Sequence, residues 1–187
     1  GLVSGRESLY DGGGWRAPCG LANVSSGLSA PIALEADHTE LLDARKSGCM
    51  QIHFATCREV VVRTLLAYRL AEDERVRLPV IVNMDGFYLS FTREPVMVPA
   101  ASDVDAFLPP FDPENIAFRA TAPASQAVAV LGGPPYSYIR QEMHPASLPS
   151  LQVHANTLTA FDPQLGRRPD APDRSPAAEA GVPLALW

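Results

Sequence analysis

The clearest alternation of apolar and polar positions lies between Met50 and Met84. Met50-Gln51-Ile52-His53-Phe54 alternates with period two and predicts a half-buried strand. Thr56-Cys57-Arg58-Glu59 follows as a capping box, in which the Thr56 hydroxyl caps the helix and Glu59 reaches back to it. A helix is predicted from Cys57 to about Glu74. Its apolar stripe is Cys57, Val61, Leu65 and Tyr68, flanked by Val62, Leu66 and Leu70, with Arg58, Arg69 and Asp73 facing water. Glu59 and Arg63 have the spacing and order of a favourable helical ion pair. Pro79-Val80-Ile81-Val82-Asn83-Met84 is almost continuously apolar, as a strand covered on both faces of a parallel sheet must be. Strand, capped helix and strand make a β-α-β unit with an expected right-handed crossover. Its second strand ends at Asp85-Gly86, on the carboxyl edge where open α/β sheets gather ligands and partner surfaces.

The flanks carry weaker patterns. Gly1–Ser29 is poorly patterned for an interior, with a short helix expected from about Arg6 to Asp11 and ended by Gly12, Gly13 and Gly14. Ala17–Val24 has strand character weakened by Gly20 and Asn23. Ser102-Asp103-Val104-Asp105 starts a short helix that Pro109-Pro110 stops. Pro109, Pro110, Pro113, Pro123, Pro134 and Pro135 predict extended coil wrapped over the surface. A helix is expected within Ala146–Gly166, limited by Pro149 and Pro163, and Arg167–Trp187 has the composition of a solvated tail or linker. The expected organisation is an α/β domain over 1–113, a wrapping coil and helix over 114–166, and a tail over 167–187, with no internal repeat.

Composition narrows the function. A chain of 187 residues with 47% hydrophobic and 19% charged residues is long enough for one real core. A net charge of -6 argues against a general nucleic-acid role, which needs clustered Lys and Arg. Apolar runs such as Val60–Val62 are too short to cross a bilayer, and no signal-peptide pattern opens the sequence, so a cytoplasmic location is expected. Cys19, Cys49 and Cys57 are too few and too scattered for a disulfide framework or a four-cysteine iron–sulfur cluster.

Several ordered motifs then make the sequence specific. Ala71-Glu72-Asp73-Glu74-Arg75-Val76, Leu78-Pro79-Val80, Asn83-Met84-Asp85-Gly86-Phe87, Glu94-Pro95-Val96 and Phe107-Leu108-Pro109-Pro110-Phe111 follow one another. Upstream stand Ser29-Ala30-Pro31-Ile32, Asp37-His38 and Arg45-x-x-Gly48-x-x-Gln51-Ile52. Together they resemble the alpha subunit of pyruvate and related 2-oxoacid:ferredoxin oxidoreductases, over about Gly1 to Pro113. The resemblance implies an α/β fold with a mainly parallel sheet flanked by helices, the pyrimidine-domain type of thiamine-diphosphate enzymes. It implies oxidative decarboxylation of a 2-oxoacid to an acyl-CoA with ferredoxin reduction. Thiamine diphosphate would lie between this domain and a beta-type pyrophosphate-domain subunit that carries Mg²⁺. Iron–sulfur clusters would belong to other domains or to a ferredoxin-like subunit.

Two departures temper that implication. Gly1-Leu2 aligns with a T-S-S-x-G-L segment inside the family's domain, so the threonine loop and the glutamate that bonds the aminopyrimidine are expected to be missing. Loss of that proton relay removes about 10²–10⁴-fold of rate, and the chain is expected to be inactive alone. The uncovered face could be buried by homodimerisation. Ser26 occupies the place of the family's substrate-gripping arginine, and a hydroxyl cannot form a bidentate charged clamp. A non-catalytic interaction domain that keeps the subunit-binding surface is therefore the alternative. Asp37, His38, Asp85, Gly86 and Phe87 are expected at a cleft or subunit interface, with Asp37-His38 capping the helix that follows. Cys49, His53 and Cys57 are spaced four apart, but buried packing is favoured over a metal site because one starts a helix and the others sit on or beside a strand.

Overall fold

The computed structural model describes residues 2–28, 31–112, 120–121, 123 and 134–164. Three parallel strands form its sheet in the order β1-β3-β2. They are β1 (Gly20–Ser25), β2 (Met50–His53) and β3 (Val80–Asp85). The sequence expectation of a β-α-β unit holds, since β2 and β3 are parallel neighbours joined through helix α3 (Cys57–Glu72). β3 lies between the other two and is buried over Val80, Ile81, Val82 and Asn83. That placement explains its unbroken apolar run.

Helices cover both faces. On one side α3 and the long α6 (Met143–Gln164) lie against the sheet, and Ile52, Leu70, Val80, Val82, Met143 and Val153 share a core. On the other, Leu2, Leu41, Ala44, Cys49 and Ile81 cluster beneath α1 (Arg6–Gly14) and α2 (Thr39–Asp43). The alternation of Val80, Ile81 and Val82 between the two cores is the period-two geometry of a strand. α4 (Ala101–Phe107) adds a satellite cluster in which Phe107 meets Val62 and Leu65. α5 (Pro134–Gln141) leads into α6.

The capping box forms with one change. The Glu59 amide donates to Thr56 Oγ1 at 3.2 Å, while the Glu59 carboxylate accepts from Ala55 N at 2.7 Å, one residue earlier than expected. The Glu59–Arg63 ion pair is present at 2.6 Å.

Other expectations are corrected. β2 is not half-buried: Gln51 is enclosed with Met50 and Ile52, and its side-chain amide donates to Leu41 O at 2.9 Å. The inward face of α3 is Arg63, Leu66, Ala67, Leu70 and Ala71, rotated from the stripe read in the sequence. Arg63 can turn inward because Glu59 neutralises it, while Tyr68 lies beside Gly20 at the sheet edge. α1 continues through its three glycines to Gly14. At Gly13 a side chain would strike Ser47 O, so glycine there serves close packing rather than helix termination. The described residues 2–28 are also less marginal than expected, because Leu2, Leu9 and Leu21 join the second core. Pro134 and Pro135 open α5 instead of extending a coil, as suits a first helical turn where no amide partner is lost. α6 begins at Met143, earlier than expected, and runs through Pro145, Pro149 and Pro163. Pro109 and Pro110 lie outside any helix or strand, as expected, while 113–119, 122, 124–133 and the tail over 167–187 lie outside the described residues.

Between α3 and α6, His154 is buried and its Nε2 has no hydrogen-bond partner. Burial, reinforced by the nearby Arg63 cation, lowers its pKa to about 4. An unfolded histidine titrates near ~6.5 and so takes up its proton first. Stability should therefore fall as pH drops from about 6.5 towards about 4, because the unfolded state binds more protons in that window. Urea denaturation at pH 5 and pH 7.5 should show this loss, and His154→Leu should flatten it.

Candidate functional site

The carboxyl ends of the three strands carry a polar cluster that the apolar run of β3 disguises. Register sets Asn23 of β1 beside Asn83 of β3, and His53 of β2 on its other side. Asn83 Oδ1 accepts from Asn23 Nδ2 at 2.8 Å and from the Ser25 hydroxyl at 2.6 Å. Its Nδ2 is thereby turned towards two imidazoles, 3.4 Å from His38 Nδ1 and 3.5 Å from His53 Nδ1. A ring that accepts from Asn83 at Nδ1 carries its proton on Nε2. His38 Nε2 then faces Asp85 Oδ1 at 3.4 Å.

Asn23, Ser25 and Asn83 are buried, whereas His38 and Asp85 remain partly open to solvent. The two histidine rings meet edge to face at 5.4 Å. Burial lowers the His53 pKa, His38 adds to the effect, and Asp85 opposes it. Neutral His53 is thus favoured, and the cluster offers uncharged amides, a hydroxyl and imidazoles beside one carboxylate. Such a set can grip an uncharged polar heterocycle or pass a proton along its edge.

The residues singled out in the sequence are distributed around this cluster. Asp37 does not face His38 as an acid–base partner: its Oδ1 accepts from Thr39 N at 2.8 Å at the start of α2, and these bonds lower its pKa. The pair follows a non-strand segment rather than a strand end, yet His38 reaches the rim of the sheet. Ser26 follows β1 and its Cβ lies close to Gly86. Gly86 donates to Ser25 O at 2.7 Å, and any side chain there would strike that oxygen and approach Leu34 O to 2.7 Å. Only glycine lets the β3 loop press against β1. Phe87 follows in the left-handed region with φ 63°, and its amide donates to Ser90 Oγ at 3.0 Å. Phe87 lies exposed against Tyr88 and Phe91.

Cys49, His53 and Cys57 are not assembled into a ligand set: among the described residues no group of three or more such side chains could hold a metal. Cys49 points instead to Leu9 O, and burial raises its thiol pKa. Asn23, Ser25 and Asn83 were missed in the sequence. The available signal was a polar amide within each of two apolar strands.

The fold and rim define a parallel α/β domain with its polar surface at the strands' carboxyl ends. Residues 1–156 match the family described as pyruvate flavodoxin/ferredoxin oxidoreductase, thiamine diphosphate-binding, and the chain belongs to it. It is 42% identical over 114 residues to pyruvate synthase subunit PorA of Methanothermobacter thermautotrophicus, covering 61% of this chain and 30% of that protein. It is 44% identical over 96 residues to the PorA subunit of Thermotoga maritima, covering 51% and 24% respectively. Ketoisovalerate oxidoreductase subunit VorA of Pyrococcus horikoshii is 34% identical over 113 residues, covering 60% and 28%. The chain spans less than a third of these curated relatives.

Replacing Asn83 with leucine should leave the Asn23 amide and Ser25 hydroxyl without their shared acceptor. A loss of about 1–3 kcal/mol per unpaired group is expected. Urea denaturation of Asn83→Leu against the parent chain measures it.

Proposed function

We propose that this chain supplies the aminopyrimidine-side surface of a thiamine-diphosphate-dependent 2-oxoacid:ferredoxin oxidoreductase and acts only in assembly. The observation that carries this reading is the rim of Asn23, Ser25, Asn83, His38 and His53. An aminopyrimidine edge is uncharged and presents both donors and acceptors, which the solvent-facing edges of His38, His53 and Asp85 match, while the buried Asn23, Ser25 and Asn83 bond to one another and orient the imidazoles. A diphosphate calls for cations or a metal, so that end of the cofactor is assigned to a beta-type pyrophosphate-domain subunit with Mg²⁺. When bound, thiamine diphosphate supplies the carbanion chemistry of 2-oxoacid decarboxylation. This chain's residues hold the ring, and the loop after Gly86 meets the partner through Phe87, Tyr88 and Phe91.

Iron–sulfur clusters belong to other domains or to a ferredoxin-like subunit in this reading, and a cytoplasmic setting suits three free cysteines. Two copies could also cover exposed apolar residues such as Ile32, Met97 and Val98 by homodimerisation.

Ser26 favours a second reading. A hydroxyl in place of the family's arginine leaves this chain without a charged clamp for the substrate carboxylate. A non-catalytic interaction domain would need none. Both readings are tested by titrating the chain with thiamine diphosphate and Mg²⁺, with and without a beta-type subunit, while following fluorescence and pyruvate oxidation. A cofactor-dependent signal is expected only with the partner, and Ser26→Arg should lower the 2-oxoacid KM about tenfold. Partner binding indifferent to cofactor would support the interaction domain. Turnover by the isolated chain would refute dependence on assembly.

A further inference from the structure

At the opposite, amino edge of the sheet lies a second feature. A cavity of about 150 Å³ is lined by Lys46, Gly48, Cys49, Met50, Arg140, Met143, His144 and Ser147. Its volume is several times the ~10–15 Å³ that one water needs, so a small ion with part of its hydration shell fits. The lining contains two permanent cations and a histidine but no carboxylate, in a chain whose net charge is -6.

The cations come from elements far apart in sequence. Lys46 ends the short 3-10 turn Ala44–Lys46, just before β2. Arg140 lies in the last turn of α5, and its Nη2 donates to Lys46 O at 3.2 Å. The Arg140 guanidinium also rests 5.4 Å from the centre of the Tyr10 ring. These contacts hold the guanidinium in place without neutralising it. Neither Lys46 nor Arg140 forms an ion pair among the described residues. A space lined by two cationic residues and no carboxylate invites an anion from solution.

We propose that this cavity binds a phosphate group, held by Lys46 and Arg140 with His144 as a further polar contact. A phosphate dianion balances the two cations, whereas a single carboxylate leaves one unmatched. Its tetrahedral oxygens can also meet donors approaching from separate elements. The site stands apart from the carboxyl-edge cluster and does not depend on the reading of that cluster.

Calorimetric titration of the full chain with sodium phosphate, at ionic strength matched with sodium chloride, tests the proposal. Saturable binding of one phosphate is expected, weakened about tenfold or more by Lys46→Ala, as for loss of one charge-assisted hydrogen bond. The Lys46 side chain is exposed, so the variant should fold, and His144→Gln provides a second variant at another exposed position. AMP binding as tightly as phosphate would identify a phosphate monoester as the ligand, while binding of inorganic phosphate alone would identify the free ion. Heats that match chloride, tighter binding of acetate, or unchanged affinity in both folded variants would overturn it.

Discussion

The buried amide of Asn83 is the constraint on which the rim depends. It sits in β3 between two parallel neighbours, where an unpaired polar group would be costly. Its oxygen is satisfied from β1 and its nitrogen faces the histidines. One side chain thereby links groups from three strand ends and turns its amide towards two imidazoles. The apolar cores beneath it supply stability, but they do not dictate which polar groups converge above.

The sheet separates two chemical environments. Its carboxyl edge collects amides, a hydroxyl and imidazoles, close to the exposed aromatic loop after Gly86. Its amino edge collects Lys46 and Arg140 around a cavity. The first is the edge proposed for the neutral end of a cofactor, the second the edge proposed for an anion. Parallel strands make such segregation natural, because every strand presents the same end to the same edge.

Local patterns in the sequence foretold the backbone well. Thr56 and Glu59 announced the start of α3, and the run from Val80 announced a strand covered on both faces. Patterns that depend on distant contacts were harder to read. Arg63 stood outside the apolar stripe read in the sequence and was legible only as the ion-pair partner of Glu59, but Glu59 and the cover of α6 take it inward and rotate the buried face of α3. The glycines of α1 looked like a stop, whereas Gly13 marks close approach to Ser47. Of the candidate site, His38, Asp85 and Gly86 were legible from motif position. Asn23 and Ser25 were not, because their partner lies some sixty residues away and only the parallel register joins them.

Nitrogen-15 chemical shifts of the imidazoles at neutral pH test most directly whether the Asn83 amide organises the rim. The expected spectrum has His38 and His53 each in one tautomer, with the proton on Nε2 and a hydrogen-bonded, unprotonated Nδ1. A proton on Nδ1 of both rings would contradict that role, since Asn83 could then donate to neither.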